Sequence, residues 1–203
     1  MTTAIGAYAT ASALKTRIAI SDTTDDTTLS NVCDQVNQYV ETKTGRVLAP
    51  IASAVILLDG DGSRVLRYPR GIRAVSLLEC AEYTGAAFST VAASQYFLRP
   101  GPADLRPGWP YTRLEFTDIA TGTFTSFPRG FDTVRMTATT GWTAIPDDIT
   151  ELALVAATRA WHAVESGQQD IVGTDDMGRP LVSRFFSARD LETLRVYGVD
   201  LPG

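Results

Sequence analysis

The sequence predicts an α+β fold: a small helical bundle around one central apolar helix, with a β-rich insertion and a C-terminal tail helix. Apolar residues recur at helical spacing over residues 10–45 and again over 146–166. Between them, over residues 46–140, apolar positions recur every second residue, as in half-buried strands. The polar and glycine-containing stretch after residue 167 separates this core from a last apolar run.

The central helix is predicted at residues 146–166 because nearly all of this stretch is apolar. Pro146 suits a first helical turn, and Asp147 and Asp148 place negative charge at the positive end of the helix dipole. The polar residues fall on one stripe, so other elements should cover the remaining faces. The stripe consists of Glu151, Thr158, Arg159, His162 and Glu165. These charges leave too short an apolar run for a membrane span, which needs about 20 residues.

Two helices are predicted before the insertion. Thr10 or Ser12 can cap the first helix, which has Leu14 and Ile18 on its inner face. The second helix should run from about residue 25 to 44, with Thr24 as its N-cap and Gly45 at its end. One apolar stripe identifies its buried face: Leu29, Val32, Cys33, Val36 and Val40.

About six strands are predicted in the insertion, at residues 55–58, 64–68, 75–83, 96–99, 113–116 and 132–139. Asp59 and Asp61 belong to the segment DGDGS, which has the composition of a hairpin turn between the first two strands. Four prolines between residues 100 and 110 forbid regular strand pairing and predict an irregular surface loop.

The chain should divide into a core at residues 1–167 and a C-terminal part at residues 168–203. Residues 168–180 are polar and contain glycine, which predicts a flexible linker. Ser187 can cap a last helix, with Leu191 and Leu194 on one face and Gly198 at its end.

Composition excludes several classes of protein. A net charge of -5 and a pI near 4.9 argue against a non-specific nucleic-acid binder. The first residues lack the basic and apolar regions of a signal peptide. Cys33 and Cys80 are far apart and have no metal-ligand spacing, so both are expected to be buried free thiols in a reducing compartment.

No catalytic, metal or cofactor site is predicted. His162 is the single histidine and has no cysteine or second histidine near it in the sequence. Asp59 and Asp61 resemble the start of a calcium loop, but the remaining acidic ligands of such a loop are missing. The paired aspartates at helix starts diverge on the helix and are explained by its dipole.

Two groups of arginine and aromatic residues are candidate protein interfaces, because these residue types are enriched at interfaces. One group lies in the C-terminal run: Arg184, Phe185, Phe186, Arg189, Leu191, Leu194, Arg195 and Tyr197. The other lies in the loops of the insertion: Arg99, Arg106, Trp109, Tyr111, Phe127 and Arg129. Alternatively, the insertion aromatics fold back on the sheet, and the C-terminal helix packs on its own domain.

Three segments resemble the head–tail connector, or adaptor, proteins of long-tailed bacteriophages. The first is YATASALKTRIAISDTTDD, a short helix followed by an acidic helix start. The second is VCDQVNQYVETKTGRVL, a helix that ends at Gly45–Arg46. The third, VRMTATTGWTAIPDDITELALVAATRAW, combines a strand, the turn at Gly141–Trp142 and a helix start at Ile145, Pro146 and Ile149. Together they cover about half of the chain in the family's order.

The resemblance implies a structural virion protein of the neck, made in the host cytoplasm, and no enzyme. Such proteins form a ring, usually of twelve copies, below the portal protein and above a stopper or tail-completion protein, and double-stranded DNA passes through the lumen without specific binding. The first candidate group would then be the portal interface. The second would be a subunit or tail-side interface.

Other functions remain open from the residues. A stopper or tail-completion protein is the nearest alternative, since it also binds in a ring. A ligand-binding module with its pocket in the insertion, outside phages, is a second one. A small enzyme with an acidic site around Asp147, Asp148 and His162 is a third.

Overall fold

The structure, a computed structural model, describes residues 6–100, 108–118, 122–165, 171–174, 180–182 and 185–198. Helices and an antiparallel sheet both occur, which confirms the predicted mixed class. The chain forms two compact units. We call residues 1–47 with 145–203 the helical unit and residues 48–144 the β unit.

Four α-helices are described in the helical unit. They are α1 Ala11–Ile18, α2 Asp26–Thr44, α3 Asp147–Glu165 and α4 Ala188–Tyr197. Helices α2 and α3 each pack against the other three. The predicted apolar stripe of α2 is buried throughout, from Leu29 to Val40. On α3 the buried residues include Ile149, Ala153 and Trp161, on the faces away from its polar stripe.

Local chemistry explains where the helices begin and end. The Thr10 side chain accepts a hydrogen bond from the Ala13 N–H (3.2 Å), as predicted. The prediction of Thr24 as the N-cap of α2 is wrong. Asp25 occupies that position and makes no side-chain capping bond. Gly45 ends α2 at φ 68°, a backbone conformation that glycine adopts without steric cost.

Six strands in the described part of the β unit form an antiparallel sheet. Its strands are β1 Ile51–Gly60, β2 Val65–Cys80, β3 Ser89–Thr90, β4 Tyr96–Arg99, β5 Tyr111–Phe116 and β6 Gly130–Thr140. The strand order is β1-β6-β2-β5-β4, and β3 pairs with β2. The inner side is an apolar cluster that includes Leu114, Phe116, Phe127 and Met136.

Two sequence predictions about this sheet are wrong. The DGDGS segment does not close a hairpin, because β6 lies between β1 and β2 and pairs with both. The strands predicted at 64–68 and 75–83 are one strand, β2, whose register shifts between Arg67 and Ile72. The first half of β2 pairs with β5 and the second half with β6.

A second, two-stranded sheet begins in the segment predicted as a flexible linker, residues 168–180, and ends beyond it. Strands β7 Ile171–Thr174 and β8 Pro180–Val182 pair antiparallel. The other residues of the predicted linker, 168–170 and 175–179, lie outside the described residues. Among the described helices, none is long and apolar enough to cross a bilayer.

Candidate functional site

Two residues of the C-terminal candidate group point into the helical unit. Phe186 is 5% exposed and stacks on Tyr39, with ring centroids 4.5 Å apart. Leu194 is 1% exposed. Both side chains therefore hold α4 against its own unit, and the portal contact predicted for them would be indirect.

The other described members of this group are accessible. Phe185, Arg189 and Arg195 are exposed, and Leu191 and Tyr197 are half-buried. We call these five residues the C-terminal surface. Arg184 lies outside the described residues. The Tyr197 hydroxyl lies 2.9 Å from a carboxylate oxygen of Asp148, to which it donates.

The start of α4 is fixed by a network around Asp190. The Ser187 side chain accepts from the Asp190 N–H (3.2 Å), and the Asp190 carboxylate accepts from the Ser187 N–H (2.8 Å), a reciprocal capping box. Arg159 of α3 lies 2.7 Å from the same carboxylate. Burial alone would raise the pKa of Asp190, but the bonds from Ser187 and Arg159 outweigh it and hold this pKa below 3.8.

A small apolar groove lies beside the C-terminal surface. Its volume is about 160 Å³. Its lining residues are Gln35, Val36, Tyr39, Ala160, Phe185 and Phe186.

The second candidate group, in the loops of the insertion, also contains both buried and accessible residues. Phe127 is fully buried against Phe116, with centroids 4.7 Å apart, so it belongs to the core of the β unit. Trp109 is half-buried and meets Trp142 edge-on. Its carbonyl accepts a hydrogen bond from Arg73 (3.0 Å). The alternative that the aromatics fold back on the sheet therefore describes Phe127 fully and Trp109 in part.

Arg99, Tyr111 and Arg129 remain accessible in this group, and Arg106 lies outside the described residues. The Nε atom of Arg99 is 3.1 Å from Glu115, and the Arg99 guanidinium lies 5.1 Å from the centroid of the Phe97 ring. Arg129 is exposed next to β6. These residues can contact a protein partner.

Strand β1 carries an exposed apolar face that was not among the predicted candidate surfaces. Val55 and Leu57 are 60% and 51% exposed, and Leu77 of β2 lies across β6 from Val55. The run AVILL is apolar at successive positions, although an edge strand with one solvated face should alternate. This loss of alternation is the sequence pattern from which the exposed apolar face could have been predicted.

The two cysteines and the histidine lie apart from one another in the described part of the chain. Burial raises the pKa of the Cys33 thiol to about 11, with a further contribution from Asp34, and that of Cys80 to about 12. Both thiols are therefore protonated and shielded at neutral pH. His162 is exposed, and its Nδ1 atom lies 3.3 Å from the Glu165 carboxylate. In the described ranges, no three His, Cys, Asp or Glu side chains could hold a metal ion.

No protein family model and no curated protein matches this sequence. Solved structures do match. A chain from the neck of an empty gene transfer agent (GTA) particle, computed with C6 symmetry, is 18% identical with a TM-score of 0.57. The match covers 99% of this chain and 95% of that chain.

Two further solved structures also match this chain. A chain from the neck of a native GTA particle, computed with C12 symmetry, is 17% identical, with a TM-score of 0.53 and coverage of 99% and 95%. A chain of the virion of a native GTA particle is 16% identical, with a TM-score of 0.57 and coverage of 100% and 96%. This chain shares their fold. The likeness includes both units, because it spans nearly the whole of each chain.

Proposed function

We propose that this protein is a structural head–tail connector of the adaptor type in a long-tailed phage or a related particle, with no enzymatic activity. One observation carries the proposal: a chain from a particle neck has the same fold over 95% of its length. Three sequence segments that resemble phage adaptors support it independently. Buried thiols and a solvent-exposed lone histidine agree with a structural role.

The proposed assembly is a ring, with twelve copies expected. The C6 and C12 symmetries of the related particle necks support a ring built from identical subunits. The ring would lie in the virion neck, between the portal protein and a stopper or tail-completion protein, after synthesis in the host cytoplasm. Double-stranded DNA would pass through its lumen without specific binding, which suits a chain of net charge -5.

Within each copy, residues 1–167 would form the connector core and residues 168–203 the linker and portal-docking segment. In this arrangement α3 is the central helix and the β unit is the insertion. The contacts of α3 with α1, α2 and α4 support a central position, which α2 shares because it also contacts the other three helices.

We assign the portal contact to the C-terminal surface. Its exposed arginines, Arg189 and Arg195, would pair with acidic groups of the portal, and Phe185 would be the aromatic anchor. Phe186 and Leu194 keep α4 in place beneath these residues. Accessible residues of the β unit, such as Arg99 and Arg129, would contact neighbouring subunits or the tail side.

The test is a binding measurement against the portal protein encoded in the same genome. Full-length wild type is compared with the double variant R189E/R195E. The variant R70E, which reverses an exposed arginine of the β unit outside both candidate groups, is the control. Point variants are preferable to truncation after residue 167, because truncation removes the buried Phe186 and Leu194.

We expect R189E/R195E to lose at least about tenfold in portal affinity with an unchanged melting temperature, since exposed charges contribute little to folding. The control should bind like wild type. Equal binding by all three proteins would refute the docking role of α4 but not the connector. If wild type does not bind at all, the stopper becomes the better proposal.

A further inference from the structure

Three arginines form a row across three neighbouring strands of the β unit. Arg67 of β2 lies directly opposite Arg113 of β5, which lies directly opposite Arg99 of β4. Directly opposite residues share one face of a sheet, with Cβ atoms about 5 Å apart. Like charges in this relation destabilise a sheet, so the row calls for compensating negative charge. We call Arg67, Arg113 and Arg99 the arginine row.

The protein compensates this charge only in part. Arg99 pairs with Glu115, at 3.1 Å. Arg67 and Arg113 are exposed, and neither makes an ion pair with any residue that the structure describes. Both line a surface cleft of about 430 Å³. Two guanidinium groups are therefore available to an external partner.

The acidic lining residues of the cleft indicate which partner fits. Asp59 and Asp61 line the same cleft. Their carboxylates are held by backbone N–H groups: that of Asp132 (2.9 Å) for Asp59, and that of Ser63 (2.8 Å) for Asp61. These fixed negative charges would repel a nucleic-acid backbone entering the cleft. A protein surface can place carboxylates on the arginines and donors on the aspartates.

The distribution of charge along the chain indicates which protein surface could supply carboxylates to the arginines. Residues 48–144 contain nine arginines, no lysine and eight acidic residues, close to neutrality. The helical unit contains nine basic and fifteen acidic residues. Asp22, Asp34 and Asp147 are exposed there, and none makes an ion pair with a described residue. The helical unit of another copy therefore offers the carboxylates that the row lacks.

We propose that the arginine row binds exposed carboxylates on the helical unit of a second copy of this chain. The inference rests on the proposed function, because it names the contact that joins neighbours in the ring. Such a contact uses different surfaces on the two copies, and it closes into a ring when the rotation between copies allows. Arginine suits this contact, since its planar fork binds a carboxylate through two parallel hydrogen bonds.

Zero-length cross-linking tests the proposal. The full-length variant R67K/R113K is prepared in unlabelled and heavy-nitrogen forms, mixed equally and assembled with the portal protein of the same genome. A carbodiimide then joins lysine amines to carboxylates in direct contact. Wild type is the matched control, because residues 48–144 contain no lysine and cannot be cross-linked through an amine there. Mass spectrometry of mixed-label peptides distinguishes links between copies from links within one copy.

The expected result is mixed-label links from positions 67 and 113 to carboxylates of residues 1–47 or 145–203. Rings seen by electron microscopy without such links would overturn this inference and leave the proposed function standing. If wild type neither binds the portal protein nor forms rings, this inference and the proposed function fail together.

Charge reversal gives a second readout that does not depend on cross-linking. We expect R67E/R113E to reduce ring yield about tenfold, because a buried charge pair is replaced by repulsion at the contact. The control R70E, an exposed arginine on the same strand outside the row, should change the yield less than about twofold. If R67E/R113E forms normal rings but loses retention of duplex DNA, the row contacts phosphates and the proposal is overturned.

Discussion

Trp109 packs its ring against Trp142, with ring centroids 5.6 Å apart and planes at 65°. An edge-to-face aromatic pair stabilises a fold beyond the area it buries. We therefore expect Trp109→Ala to lower the free energy of unfolding by about 2 kcal/mol, less than a fully buried tryptophan would cost. Urea unfolding followed by circular dichroism measures this loss.

The matched control is Tyr83→Ala, which removes an aromatic ring that is 64% exposed. It should change the free energy of unfolding by less than about 0.5 kcal/mol. If both variants are equally stable, Trp109 contributes no packing energy and is better explained as an interface residue alone.

Asp190 gives a prediction about pH. Its pKa lies below the ordinary 3.8, so its ionised form is favoured by folding. That stabilisation is complete above pH 3.8 and is lost as pH falls through the lower folded value. Asp190→Asn should cost about 1 kcal/mol at pH 7, because the amide removes the charge that pairs with Arg159 and that strengthens the bond from the Ser187 N–H. Below pH 3.8 the difference from wild type should shrink. A difference that stays constant down to pH 2 would show that the charge of Asp190 is not what stabilises α4.

Sequence patterns do not predict which of two adjacent residues of the same type is buried. The sequence places Phe185 and Phe186 in one interface group, but the structure buries Phe186 and exposes Phe185. Both lie before the helix begins at Ala188, so helical periodicity does not apply to them. Leu194 lies inside the helix, on the face predicted to carry it with Leu191; Leu194 is buried and Leu191 is half-buried.

At the scale of elements, the long strand β2 depends on a glycine at its bend. Gly71 has φ 97°, and a Cβ there would lie 2.6 Å from a ring carbon of Pro110. Gly71→Ala should cost about 3 kcal/mol, because a strained backbone and a steric clash add. Gly85→Ala is the control, since Gly85 has φ 87° but no heavy atom within 4 Å of the added carbon. It should cost about 1 kcal/mol from the backbone alone.

Thermal unfolding of both variants measures the difference. If Gly71→Ala is no worse than Gly85→Ala, Pro110 moves aside and the bend of β2 tolerates a side chain. A larger loss at Gly71 would show that the contact with Pro110 fixes the bend between the two halves of the strand.

The helices were predictable and the strand pairing was not, for a physical reason. Every signal for α2, from its apolar stripe to Gly45, lies within one helix length of the residues it orders. The partner of β1 is β6, seventy or more residues away in sequence, and DGDGS contains no information about it. The arginine row was invisible for the same reason, because its residues meet only through strand register.

At the scale of the whole molecule, each compact unit contains one buried cysteine. Cys33 lies in the helical unit and Cys80 in the β unit, and both are at most 2% exposed. A thiol reagent can reach either sulfur only when its unit opens. The single-thiol variants Cys33→Ala and Cys80→Ala therefore report the opening of the β unit and of the helical unit, respectively.

We expect both thiols to react at least about a thousandfold more slowly in the folded chain than in urea, since opening a core costs several kcal/mol. Absorbance of the released thiol of Ellman's reagent measures the rates. A rapid reaction of either thiol in native buffer would show that the burial of its unit is not maintained in solution.

The same thiols predict the response of the folded chain to alkali. Their ordinary pKa is 9.0, and folding raises it to about 11 for Cys33 and about 12 for Cys80. The unfolded chain therefore loses these protons first, and the folded state loses stability as pH rises above 9.0 until the folded values are reached. Urea unfolding of wild type and of the double variant Cys33→Ala/Cys80→Ala between about pH 8 and 10.5 measures this decline in the free energy of unfolding. The double variant should have the shallower decline. Parallel declines would assign the alkaline loss to other groups, such as Tyr68 and Tyr96, whose pKa values burial also raises.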